Sequence, residues 1–228
     1  MILNFDEFQK TNQGKNELNN IRVKNLNIFK EKGFPSKKEE NWKYTDLKSI
    51  ISKNLSKLEI PNNKETSQYN DSWLLKDFQH NQIILVNGDF VGSNFSFEDE
   101  KKIKIKPLKM VLSGEKDFKK IKDYFTDQQN SLASLNHALA NDGVFLEIEE
   151  NYSFNKPLII YNFFNKFSEN KIINNKNFIS LGKNSKLIIV DYYKSENNIK
   201  YFNNTAHNYS IQKNAILKKF TLDSNLDN

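Results

Sequence analysis

The chain has 228 residues, a net charge of +6 and a pI of about 9.1, and it contains no cysteine. That excludes a disulfide framework, a cysteine zinc site, a cysteine-ligated iron–sulfur cluster held by this chain, and any thiol nucleophile. The positive charge rests on 33 lysines and one arginine, Arg22, beside 35 asparagines; this is the bias of an AT-rich genome, and readers of phosphate and base edges favour the arginine fork.

The first eight residues carry Asp6 and Glu7 and lack an apolar signal core. No apolar run reaches the roughly 18 residues of a spanning helix. A soluble, cytoplasmic chain is expected, with 18 Phe and 9 Tyr to supply its core. From Gly14 to Lys32 the apolar residues Leu18, Ile21, Leu26 and Phe29 recur at helical spacing, and Gly33 and Pro35 close the pattern. Ser36 with Glu39 predicts a capping box for a second short helix, with Leu47, Ile50 and Ile51 as its apolar face. Pro61 to Asp71 is polar and unpatterned, as a linker would be.

At Gln82 the period becomes extended. Ile83–Val86 is an apolar run closed by Asn87-Gly88, Phe90–Phe97 alternates, and so does Lys102–Lys106. Helical spacing returns with Phe118, Ile121 and Phe125, then Leu132, Leu135 and Leu139, before Asp142-Gly143. The lysine-rich stretch 101–122 reads as a solvated face. Six short strands are then predicted: Val144–Ile148, Leu158–Phe163, Phe178–Leu181, Leu187–Tyr192, Ala206–Ile211 and Leu217–Leu222. Within them Ile179–Leu187 repeats as Tyr209–Leu217 at an offset of 30 residues, and Leu146–Phe154 is a fainter copy at 33. Stacked coils of a parallel β-helix explain such a repeat; an antiparallel sandwich is the alternative. The chain stops after a strand with no polar cap, so the sequence reads as cut short.

Catalytic motifs are missing. There is no P-loop, no dinucleotide turn and no His pair. His80, His137 and His207 are each alone; His137 reads as a polar-side or capping residue. Glu147, Glu149 and Glu150 sit at a strand end facing solvent, and Asp142 in a turn. Lys183, Asn184, Lys213 and Asn214 could line a phosphate or sugar ladder, although asparagine also suits tight turns. No residue receives a catalytic, cofactor or metal role.

The block Gly33-Phe34-Pro35-Ser36, then Glu39-Glu40-Asn41-Trp42-Lys43-Tyr44-Thr45, resembles the N-terminal signature of the SufD family of iron–sulfur cluster assembly proteins. Val86–Phe90, Leu135–Val144 and Asn155-Lys156-Pro157-Leu158 resemble three further elements of that family in the same order. The resemblance implies a mainly β fold with an N-terminal helical region and a right-handed parallel β-helix, here incomplete at the C-terminus. Residues 1–80 would be the helical region and linker. Residues 81–228 would start the β-helix core, with an inserted helical segment at about 115–141. The chain would be the front half of a scaffold subunit that pairs with SufB and the SufC ATPase. It would not itself be an enzyme or hold a cofactor, the iron–sulfur cluster being the product of the complex. Trp42 and Tyr44 are markers of the resemblance and are expected to pack in the helical region. Two other functions fit less well: a secreted-type carbohydrate-acting β-helix enzyme, and a lysine-rich nucleic-acid binder.

Overall fold

The Leu18–Phe29 periodicity forms helix α1 (Glu17–Lys32). Asn16 caps its start, Oδ1 accepting from the Asn19 N–H at 2.9 Å. Gly33 ends it at φ +71°, donating to the Phe29 carbonyl. The computed structural model describes residues 5, 6, 8, 16–55, 57–61, 68–126 and 130–224, so most of the expected 61–71 linker lies outside it.

The helix expected from Ser36 does not form there. One arm of the capping box is present, Ser36 N–H to Glu39 Oε1 at 3.2 Å, yet the chain makes only a 3₁₀ turn at Glu40–Trp42. Asp46 is the working cap. Its Oδ1 takes the Ser49 N–H at 2.9 Å and starts α2 (Leu47–Asn54), since a well-placed carboxylate satisfies an orphan donor of the first turn. Of the expected apolar face, Ile51 is buried, Leu47 is partly buried, and Ile50 points outward.

Strands β1 (Asn81–Val86) and β2 (Asp89–Asn94) form the hairpin that Asn87-Gly88 predicts, both turn residues having positive φ. After β3 (Ile103–Pro107) the helical insertion begins at Leu108, earlier than expected. It comprises α3 (Leu108–Ser113), α4 (Glu115–Phe118), a 3₁₀ turn at Lys122–Phe125, and α5 (Ser131–Leu139).

Eight strands follow. They are β4 (Asp142–Ile148), β5 (Leu158–Phe164), β6 (Ile172–Ile173), β7 (Asn175–Leu181), β8 (Lys186–Ser195), β9 (Phe202–Asn203), β10 (Ala206–Ile211) and β11 (Ile216–Asp223). They enter three sheets in rotation: a four-stranded sheet in the order β10-β7-β4-β3, a five-stranded one in the order β11-β8-β5-β1-β2, and the pair β6-β9. Pairing along β10-β7-β4 and β11-β8-β5-β1 is parallel, so these strands do not make the antiparallel sandwich. The repeat found in the sequence is the register: Ile179 lies opposite Tyr209, Leu187 opposite Leu217, and Leu146 opposite Ile179.

Alternation along each strand sends one face into a common interior, where Val144, Leu146, Leu158, Ile160, Ile179, Leu181, Leu187 and Ile189 form the main core. The outer faces are covered too. Tyr69, Trp73 and Leu75, in the stretch leading to β1, pack on Ile159, Tyr161 and Phe163. The helical insertion lays Leu108, Phe118 and Phe125 against Phe145 and Phe178. That double cover explains why all seven residues of β5 are buried and why it reads as a continuous apolar run. Helices α1 and α2 share a further core with α5 through Leu26, Phe29, Ile51, Leu135 and Leu139.

Candidate functional site

Among the described residues no group of three or more His, Asp or Glu side chains could hold a metal ion. The three histidines sit in separate surroundings. His80 closes the stretch before β1. Its Nδ1 lies 2.9 Å from the Phe78 carbonyl, so that nitrogen carries the proton, and Nε2 accepts from the Tyr161 hydroxyl at 2.7 Å. Burial pushes the Tyr161 phenol up to about 12. This pair fastens the covering segment to the sheet.

His137 is not on a polar side. It is buried on α5 against the Phe125 ring, with Nδ1 lacking any partner among the described residues. Burial, then the charge of Lys176, lowers its pKa to about 3, a hydrogen bond with the Phe125 backbone opposing them. Lys176 is itself wholly buried on β7, donating to the Tyr124 carbonyl at 2.9 Å with its ammonium 4.6 Å from the Phe125 ring centroid. Together these residues bolt the helical insertion to the four-stranded sheet. Arg22 has a similar role. Its Nη2 donates to Ala140 O at 2.7 Å and Asn141 Oδ1 at 2.9 Å, tying α1 to the end of α5. The single arginine is thus internal, with burial lowering its pKa to about 10.

The third histidine belongs to a cluster that sequence reasoning missed. Register aligns Val144, Asn177 and His207 in one interior column, Leu158, Ile189 and Lys219 in a second, and Ile160, Asp191 and Thr221 in a third. Each column begins apolar at β4 or β5 and ends polar at β10 or β11. Asp191 is wholly buried; its Oδ2 is 2.8 Å from Lys219 Nζ and 3.5 Å from His207 Nε2. Tyr193 and Tyr209 flank it, both phenols pushed well up by burial first and then by the Asp191 carboxylate. A signal existed in the sequence. Asp191 and Lys219 occupy inward positions of strands whose neighbouring inward residues, Leu187, Ile189 and Leu217, are aliphatic.

The surface residues singled out in the sequence are placed as follows. Glu147 and Glu149 face solvent in cross-strand pairs with Lys104 and Lys102, each at 2.8 Å. Lys106, Lys119 and Lys122 pair with Asp117, Glu115 and Glu17, so the 101–122 run is a solvated, neutralised face. Asp142 is in no turn: it opens β4, its side chain buried, and accepts from the Phe90 and Lys109 N–H groups at 3.1 Å each. Asn184 lies in a stacked turn, donating to Asn151 Oδ1 at 2.7 Å and accepting from Asn214 Nδ2 at 3.1 Å. All three residues have φ near +60°. Lys183 and Lys213 accept through their carbonyls from the Asn151 and Asn184 N–H groups, which gives this corner a structural use.

Tyr44 and Trp42 depart from expectation. Tyr44 is 87% exposed, and Trp42 belongs to none of the core clusters. Because the 3₁₀ turn replaces the expected helix, this segment turns Tyr44 outward and leaves Trp42 half-buried.

A cavity of about 50 Å³, lined in part by Asn87, Asp89, Asp142 and Ile173, has room for water rather than a substrate. The arrangement offers packed and hydrogen-bonded surfaces, with no assembled acid–base or nucleophilic constellation among the described residues. No curated protein matches the chain. The family model of the SufBD protein N-terminal region matches residues 5–160, from the first described residue through the start of β5. That match takes in more than half the chain and ends where the parallel strands begin to stack; the chain therefore belongs to the SufBD family and, through it, to the SUF system of iron–sulfur cluster assembly.

Proposed function

We propose that the chain is a SufD-type scaffold subunit, cytoplasmic and non-catalytic, whose stacked strands are the start of a right-handed parallel β-helix. The observation that carries this reading is the rotation of the chain through three sheets in parallel register, following directly on the SufBD N-terminal region. A stack of this kind is rigid and extends in one dimension, which suits a subunit that holds partners at fixed separation. The partners are SufB and the SufC ATPase, and the iron–sulfur cluster is cargo of their complex. None of these 228 residues can supply a thiolate ligand, which fits a region that scaffolds rather than ligates. The resemblance of Trp42-Lys43-Tyr44-Thr45 to the SufD signature favours SufD over SufB.

Co-expression of the gene, as it stands in its genome, with SufB and SufC tests the assignment. The expected result is a complex of all three proteins whose ATPase activity tracks SufC, while the purified chain hydrolyses no ATP. A soluble product of the complete gene that binds neither protein overturns it.

A further inference from the structure

Two stretches of the chain use their lysines differently. In the 101–122 run Lys102, Lys104, Lys106, Lys109, Lys119 and Lys122 each meet a carboxylate. Between residues 33 and 54 the acids are engaged within the segment and most lysines are not. Glu39 takes the Ser36 N–H at 3.2 Å, Asp46 takes the Ser49 N–H at 2.9 Å, and Glu40 pairs with Lys43 at 2.8 Å. Lys37, Lys38, Lys48 and Lys53 are exposed and have no ion-pair partner among the described residues.

These side chains sit on a closed loop and the helix that follows it. The Lys48 N–H donates to the Pro35 carbonyl at 3.3 Å, joining the two feet of the loop. Closure places Lys37 and Lys38, just after one foot, near Lys48 at the other. The turns between are fixed by Glu39 N–H to Ser36 O, Trp42 N–H to Glu39 O and Thr45 N–H to Trp42 O, at 2.7–3.0 Å. Phe34 anchors the entering foot edge-on against Phe29 and Phe202, with centroids 5.1 and 5.6 Å away. Lys43 Nζ, already held by Glu40, lies 5.3 Å from the Tyr44 ring centroid, so this exposed ring is oriented. Ile50, in the first turn of α2, also points outward. A fixed aromatic side chain docks with little loss of freedom, and free ammonium groups beside it draw in opposite charge.

We propose that residues 33–54 form a docking surface for an acidic segment of another protein, whose carboxylates meet Lys37, Lys38 and Lys48 while one of its apolar side chains covers Tyr44. A nucleic acid fits less well. Its phosphates follow one another without a gap and would press against Glu39, Glu40 and Asp46 in the same loop; the single arginine, Arg22, is buried on α1. A peptide can leave neutral residues opposite those carboxylates. The surface is independent of the parallel strands and of which SUF subunit the chain is.

Zero-length carbodiimide coupling joins an ammonium to a carboxylate in direct contact, and it tests the surface on the complete gene product in an extract of its own cells. Peptide mass spectrometry should find Lys37, Lys38 or Lys48 in amide linkage with an Asp/Glu-rich segment of a different, identified protein. Tyr44→Ala should lower that yield about tenfold. Coupling of Lys104 to Glu147, 2.8 Å apart in the same chain, is the internal standard and should stay within about twofold. Because the Tyr44 ring is exposed its removal leaves the fold standing, which the standard reports. Coupling of these lysines only to carboxylates of the same chain, coupling indifferent to Tyr44→Ala, or no coupling at all overturns the proposal. So does tighter binding of oligothymidylate than of the identified segment made as a synthetic peptide, which would mark a nucleic-acid surface.

Discussion

The first and last parallel strands share one register and differ in what fills them. At β4 and β5 the interior positions are Val144, Leu146, Leu158 and Ile160, all fully buried, and the outer faces lie under helices and the segment before β1. At β10 and β11 the same columns hold His207, Tyr209, Lys219 and Thr221. Apolar burial therefore holds the first end, whereas backbone ladders, asparagine turns and one ion pair hold the last. Local stability in a stack follows what each layer buries, so the aliphatic interior of β4 and β5 should stabilise its layer more than the polar interior of β10 and β11 does.

The largest effect that sharpens this contrast lies at the well-packed end and is set by pH. His137 folds as a neutral ring with its pKa lowered to about 3. Unfolded histidine binds its proton near pH 6.5, so in that window the unfolded chain holds more protons and stability falls as pH falls. Between about pH 6.5 and 3 the loss should approach 4 kcal/mol. Urea unfolding at a series of pH values reads it, and His137→Gln should flatten the curve by most of that amount. An unchanged slope in the variant would show that the helical insertion does not depend on a neutral His137.

A matched pair of truncations comes next. Leu146 is fully buried at the first end, and Leu146→Ala should cost about 3 kcal/mol. Leu217 occupies an interior position at the last end but is only partly buried, and Leu217→Ala should cost about 1 kcal/mol. Equal losses in denaturant unfolding would mean that both ends are held alike.

The strand stack was legible because parallel pairing writes its register into the chain as a repeat. Asn151, Asn184 and Asn214 mark equivalent turns, and the offsets between them are the observed pairings. What escaped was short or non-local. Leu108–Ser113 has fewer than two helical turns, and Ile172–Ile173 and Phe202–Asn203 are too short to show a period. The Asp191–His207–Lys219 cluster joins three strands of two sheets, so no spacing announces it. Trp42 and Tyr44 lie within the stretch that marks the SufBD family, but Tyr44 does not pack as expected, because the capping signal at Ser36 lost to Asp46.

Composition also carries more structural content than base bias suggests. Every non-glycine residue with positive φ among the described residues is asparagine: Asn87, Asn151, Asn170, Asn184, Asn198 and Asn214. Asparagine tolerates the left-handed region and can bond its own neighbours, so a chain with 7 glycines and 35 asparagines uses it for turns.

Asn184 separates the two contributions. It sits at φ +58° in an exposed turn between the two ends, linked by its side chain to Asn151 and Asn214. Alanine loses both the tolerance for positive φ and the ladder, at a cost of about 1–2 kcal/mol. Glycine keeps the backbone and loses only the ladder, whose exposed bonds contribute about half a kcal/mol. Comparing Asn184→Ala with Asn184→Gly in urea unfolding therefore isolates the backbone term. If the two variants fall equally, side-chain stacking holds the corner. If only alanine falls, each turn is set by local conformation, and the weakness of the last end must come from its interior alone.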